Sequence, residues 1–186
     1  MKRVFTLLLL MVVLVGCSRS SDCLDRAMDL RERLLKANGI SFEAEISADY
    51  GKKMYEFSMN CSVGQDGALN FTVTEPETIR GISGVISGSG GQLTFDDTAL
   101  AFDLLADGEV SPISAPWLLI QTLKGGYIST CGMDGDDLRI TIDDSYEKDA
   151  LQLDIWVNDD NIPEHAEILW QGRRVLSIEV EAFTFV

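Results

Sequence analysis

A mainly β (α+β) domain is what the sequence predicts, with about eleven antiparallel strands gathered around one or two helices. Three observations predict it. From Ser41 onward, apolar and polar residues alternate with a period of two in run after run. That pattern marks strands with one dry and one wet face. Between Asp22 and Asn38 the apolar residues return instead at helical spacing. In mid-chain the alternation gives way to a short stretch that is almost entirely apolar, opened by Ser114-Ala115-Pro116 and closed by Gly125-Gly126.

The chain begins with a different signal. Lys2 and Arg3 precede Val4 to Val15, an apolar run whose only polar residue is Thr6. This is the layout of a secretory signal peptide. The run is shorter than the roughly 20 residues that a membrane-spanning helix needs. Leu14-Val15-Gly16-Cys17 resembles a bacterial lipobox. The resemblance implies that residues 1–16 are removed and that Cys17 carries a diacylglyceryl thioether. Two acyl chains give stable anchoring where one is marginal. The expected location is the bacterial membrane, facing outside the cytoplasm, with residues 17–21 as lipidated cysteine and tether and residues 22–186 as one domain.

Of the 186 residues, 170 then remain, enough to bury about 70% of the unfolded surface. Two of the 15 basic residues and none of the 30 acidic ones lie before Cys17, so the mature net charge is −17. A surface of that sign repels nucleic acid, which is excluded as a partner. Cys23, Cys61 and Cys131 remain after Cys17. The compartment permits disulfides, and three thiols allow one bridge with one left over. Cys61 and Cys131, both near ends of predicted strands, are the candidate pair. The alternative is three small buried hydrophobes.

Asp22 to Asn38 is read as an amphipathic helix lying across a sheet, with Leu24, Ala27, Met28, Leu34 and Leu35 near one face and Leu30 beside it. Ser21 or Asp22 caps it, and Asn38-Gly39 ends it. Ser41 to Tyr50, Met54 to Val63 and Leu69 to Val73 form an antiparallel meander. Glu75-Pro76-Glu77 breaks the chain. Thr78 to Ser87 is β-branched but holds Gly81 and Gly84, and glycine in a strand marks a bulge, a bend or a close backbone approach. Leu93 to Phe95 and Leu100 to Leu104 make a further hairpin. The apolar helix after Ser114 carries its proline in the first turn, where the missing N–H costs nothing. It either plugs the core or covers an apolar pocket. Strands resume at Tyr127 to Cys131, Leu138 to Ile142, Leu151 to Val157 and Ala166 to Trp170. In the last strand, Arg174 to Phe185, the apolar face changes between Val180 and Phe183, the signature of a bulge or of a strand leaving the sheet.

A signal segment, a helix, and a long meander interrupted by a short apolar helix together resemble the LolA/LolB-like lipoprotein-localisation-factor superfamily. The stretch from Ser41 to Phe185 carries the resemblance, through Ser-Phe-Glu-Ala-Glu-Ile at the first strand, Gly-Gln-Leu-Thr-Phe-Asp-Asp from Gly91, and Pro-Glu-His-Ala-Glu-Ile-Leu-Trp from Pro163. It implies an incomplete antiparallel barrel wrapped around helices, with an apolar cavity for acyl chains. A closed eight-stranded barrel fills itself with side chains; about eleven strands enclose more. The candidate lining residues are Phe42, Ile46, Tyr55, Phe57, Met59, Phe71, Phe102, Trp117, Leu118 and Ile120.

Catalytic signatures are missing from the sequence. His165 is the only histidine, and no Gly-x-Ser-x-Gly elbow accompanies it. One histidine and scattered cysteines do not make a zinc site. Asp134-Gly135-Asp136 starts like a calcium loop, but Ser145 stands where the bidentate glutamate belongs. Asp96-Asp97, Asp136-Asp137, Asp143-Asp144 and Asp159-Asp160 fall in or beside predicted turns, where aspartate is favoured locally. No catalytic residue, metal or cofactor is assigned. The leading expectation is a non-enzymatic anchored lipoprotein binding a lipid or lipoprotein acyl chain. The first alternative is an anchored module that binds or senses an envelope protein, with Trp156 and Leu169 as outer-face contacts. The last is an acidic-cleft hydrolase.

Overall fold

The computed structural model describes residues 16–95, 98–102, 105–106, 109–145 and 151–186. The signal segment up to Val15 and the pair Asp96-Asp97 lie outside the described residues. Among the described residues eleven strands form one antiparallel sheet. They are β1 (Gly39–Asp49), β2 (Met54–Gly64), β3 (Leu69–Glu75), β4 (Ser83–Ser87), β5 (Gly90–Phe95), β6 (Thr98–Phe102), then β9 (Tyr127–Asp134), β10 (Asp137–Asp143), β11 (Gln152–Val157), β12 (Pro163–Trp170) and β13 (Arg173–Phe185). A two-stranded ribbon, β7 (Leu105–Ala106) and β8 (Glu109–Val110), stands apart. The order in the sheet is β6-β5-β4-β3-β2-β1-β13-β12-β11-β10-β9. First and last strands therefore pair at its centre, and β6 and β9 are open edges. This is an incomplete barrel.

The alternation in the sequence sorts the two faces. Ile40, Phe42, Ala44, Ile46 and Ala48 of β1 are buried, as are Ile140 and Ile142 of β10, Leu153 and Ile155 of β11, and Ile178 and Val180 of β13. The face change late in β13 is a bulge. The pairing moves from Ser41↔Thr184 to Glu43↔Glu181, and Ala182 takes up the extra residue at φ 51°. The bulge returns Phe183 to the buried face, where its ring stacks on Phe42 with centroids 5.6 Å apart.

Helix α1 runs from Gly16 to Lys36 and so includes the segment read as a tether. Its buried stripe is Cys23, Ala27, Leu30 and Leu34, each three or four residues from the next, as an α-helical face requires. Leu24, Met28 and Leu35, expected on that face, are exposed. The rotation follows from what pins the helix. Arg26 donates to Asn161 Oδ1 (3.1 Å) and the Asn158 carbonyl (2.9 Å) in the β11–β12 turn. Arg33 donates to the Asp160 carbonyl at 3.0 Å. Arg31 donates to the carbonyls of Leu123 and Gly126, each at 2.7 Å, where the second helix, α2 (Ala115–Gly125), ends.

The expected Cys61–Cys131 bridge is not formed; Cys23 pairs with Cys131, with Cα atoms 6.2 Å apart. The reason is the strand order. Five strands separate β2, which carries Cys61, from β9, which carries Cys131, far beyond the roughly 7 Å that a disulfide spans. The start of α1 instead lies against β9. Cys61 is a free, buried thiol between Phe42 and Phe71 in register, and burial pushes its pKa up. It behaves as a small apolar residue.

Gly84 marks the close approach expected of it. It faces Phe71 across β3–β4, and a Cβ there would stand 2.7 Å from the Phe71 ring and 2.3 Å from the Gln92 carbonyl. Gly84→Ala should therefore lower stability by about 1–3 kcal/mol, the usual range for overpacking. Gly88→Ala, whose nearest neighbour would be Trp117 at 3.9 Å, should be nearly neutral. Urea unfolding of the two variants checks this.

Candidate binding cleft

Helix α2 fills the centre of the half-barrel. Ala115, Leu119 and Ile120 are fully buried, and Leu123 nearly so. Of the two readings of this helix, the plug is the one found. An apolar open space lies beside its lead-in, at the end of the sheet that holds the β1–β2 turn. There a cleft of about 380 Å³ is lined by Tyr50, Lys53, Tyr55, Phe57, Val73, Ile79, Ile82, Leu93 and residues 110–113. Ligand pockets span roughly 300–1,000 Å³.

Three elements build it. Strands β2, β3 and β5 supply one wall through Tyr55, Phe57, Val73 and Leu93. The short 3-10 turn Glu77–Ile79 and its exit supply Ile79 and Ile82. Their backbone is tied back onto β3, since Val73 N–H donates to the Ile82 carbonyl at 2.8 Å and Gly81 N–H to the Val73 carbonyl at 2.9 Å. The third wall is the segment Val110 to Ile113, which passes into the 3-10 turn Pro112–Ser114 and then α2. Ser114 is fully buried, and its hydroxyl donates to the Ser111 carbonyl at 2.6 Å. Tyr50 joins the first wall to the third: its hydroxyl donates to the Val110 carbonyl, and its ring meets Tyr55 edge-on at 6.1 Å. Among the described lining residues there is no aspartate or glutamate, and Lys53 is the one charged side chain. Such a surface excludes water and offers dispersion contacts, with a few polar atoms at the rim. It presents no acid–base pair.

Of the sequence-predicted lining residues, Tyr55 and Phe57 lie in the cleft. Phe42, Ile46, Met59, Phe71 and Ile120 are core. Phe102, Trp117 and Leu118 are half-buried against that core. Trp117 is engaged at the opposite end of the sheet, where its indole N–H donates to the Gly67 carbonyl in the β2–β3 turn at 3.1 Å. Phe102 lies over Gly91. Ile79, Ile82 and Ile113 were missed because they sit in turns, outside the strand alternation. Ile79 and Ile82 lie in the β-branched, glycine-bearing stretch Thr78 to Ser87, and Ile113 follows Pro112 just before the apolar helix; that was the only signal.

The outer face of the sheet carries the remaining polar chemistry. Asp154 is buried there and accepts from Arg139 at 2.5 Å and from Thr141 at 2.6 Å; that bond raises the Arg139 pKa. Arg139 lies over the Trp156 ring, whose N–H donates to Asp134 at 2.9 Å. Trp156, expected as a free contact, is thus covered and satisfied. His165 is 2.8 Å from Glu179 and stands against the Trp156 ring. Among the described residues no group of three His, Cys, Asp or Glu could hold a metal, and no helix is long and apolar enough to cross a membrane.

Fold and cleft together define an open antiparallel half-barrel with an apolar cleft. The chain is similar to a LolA superfamily protein from Nitrosomonas europaea, at 12% identity and a TM-score of 0.45 over 86% of this chain and 93% of that one. It is similar to the lipoprotein LppX from Mycobacterium tuberculosis, at 12% identity and a TM-score of 0.43 over 87% and 93%. A third likeness is to a chain in the structure of the CwlD amidase in complex with the GerS lipoprotein from Clostridioides difficile, at 13% identity and a TM-score of 0.44 over 86% and 93%. No protein-family model matches the chain, and no curated protein is similar to it in sequence.

Proposed function

We propose that this chain is a lipoprotein anchored through Cys17 to the outer side of a bacterial membrane, and that it binds an apolar ligand, an acyl chain, in the cleft between β2–β5 and residues 110–113. It acts by binding and not by catalysis. One observation carries the reading: a solvent-open cleft whose described lining is apolar and aromatic, with Lys53 as its charged side chain. An acyl chain needs only water exclusion, at about 0.8 kcal/mol per buried methylene. The test is native mass spectrometry of the mature chain carrying Cys17→Ser, secreted and purified without detergent. A co-purified lipid at one per chain is expected. An apo mass that takes up no fatty acid would overturn the reading.

A second reading, an envelope-protein contact, draws on Val85, Phe95 and Leu100, exposed on β4, β5 and the open edge strand β6. It becomes the better account if the cleft stays empty.

A further inference from the structure

Among the described residues the rim of the cleft is charged at Lys53, and a basic rim is unusual for so acidic a chain. Gly51-Lys52-Lys53 joins β1 to β2, and Gly172 lies in the β12–β13 turn with Arg173 as the first residue of β13. Because β1 pairs with β13, the two turns meet: a Cβ on Gly51 would stand 3.9 Å from an Arg173 guanidinium nitrogen. Lys52, Lys53, Arg173 and Arg174 thus converge at one end of a sheet whose mature chain carries −17. Arg174 is held by Glu167 at 2.6 Å. Among the described residues, Lys52, Lys53 and Arg173 take part in no ion pair. Asp49 is the nearby carboxylate, and it already accepts the Gly51 N–H at 2.7 Å. Lys53 itself lines the cleft, beside Tyr50 and Tyr55.

We infer that the cleft selects amphiphiles with an anionic head, a carboxylate or a phosphate, seated at Lys53 with Lys52 and Arg173 around it, while the acyl tail runs between Phe57 and the Ile82–Ile113 wall. The inference rests on the binding reading above and adds the class of head group. An apolar cleft alone holds a fatty alcohol, an ester or an acid equally well. A cation at its mouth that forms no ion pair among the described residues distinguishes them, because a carboxylate or phosphate gains attraction there that a neutral head does not. At exposed positions the gain is small and salt-dependent.

The test uses the mature chain carrying Cys17→Ser and two matched probe pairs. One is a fluorescent fatty acid and its methyl ester; the other is lysophosphatidic acid and monoacylglycerol as competitors of the ester. The anionic member of at least one pair should bind roughly five-fold more tightly at low salt, the value of one exposed charge pair, and which pair responds tells carboxylate from phosphate. Lys52→Gln/Lys53→Gln should remove that difference, bringing each anionic probe to the affinity of its neutral partner measured in the same variant. Inorganic phosphate alone should not displace the ester. Equal affinity of both members of both pairs, or a preference that survives the double variant, overturns the head-group inference while the cleft stands. Failure of every probe to bind overturns both.

Discussion

Removing the Cys23–Cys131 bridge should cost 2–5 kcal/mol of stability. The bridge links residues 108 positions apart, and closing a loop of about 100 residues removes chain entropy worth up to about 4.7 kcal/mol from the unfolded state. It also fastens α1 to β9, an edge strand with a neighbour only at β10. The double variant Cys23→Ser/Cys131→Ser should therefore unfold at distinctly lower urea, while the slope of the transition changes because its unfolded state is no longer cross-linked. Arg26, Arg31 and Arg33 continue to hold the helix, so the variant should stay folded in water. The same preparation identifies the bridge. In the native wild-type protein, Cys61 should resist alkylation, since it is buried and its pKa is raised; it should react once the chain unfolds. A wild-type protein that alkylates at Cys23 or Cys131 without reductant would contradict the pairing.

Ile82→Glu should abolish ligand binding, with at least a tenfold loss of affinity for a fluorescent fatty acid. The residue is half-buried in the cleft wall and outside the core, so a carboxylate there can stay hydrated when the cleft is empty. Filling the cleft with an acyl chain would strip that water, at a cost of several kcal/mol unless the group takes up a proton. A charge of the same sign as an anionic head adds repulsion. Stability should fall by less than 1.5 kcal/mol, which separates loss of the site from loss of the fold. Leu119→Ala in the plug helix should behave in the opposite way. It should destabilise by about 2–5 kcal/mol through the cavity it leaves, with binding retained by the folded fraction.

The two variants restate what could be read from the sequence and what could not. Alternation is a local property, so Phe42 to Ala48, Leu138 to Ile142 and the bulge before Phe183 were legible residue by residue. So was α2, from its proline start and glycine end. The division of inward-facing residues between core and cleft is not local. Phe57 and Phe71 carry the same sequence signal, yet one faces open space and the other lies over Gly84. The difference is set by where the segment before α2 crosses the sheet, and no spacing encodes that. The disulfide failed for the same reason. Cys61 and Cys131 look alike on their strands, but only the docking of α1 decides which lies near Cys23. The rotation of α1 that exposes Leu24, Met28 and Leu35 likewise depends on arginine contacts to residues 92 to 135 positions away.

The cleft itself is tested most directly by a methyl NMR titration of the mature chain carrying Cys17→Ser with a fatty acid. The account predicts saturable shifts at Ile79, Ile82, Leu93, Val110 and Ile113, the methyls of the three walls, and none at Leu119, Ile140 or Ile155 in the core. Shifts confined to Leu24, Met28, Val85 or Leu100 on the surface, or no saturable shift at all, would contradict it.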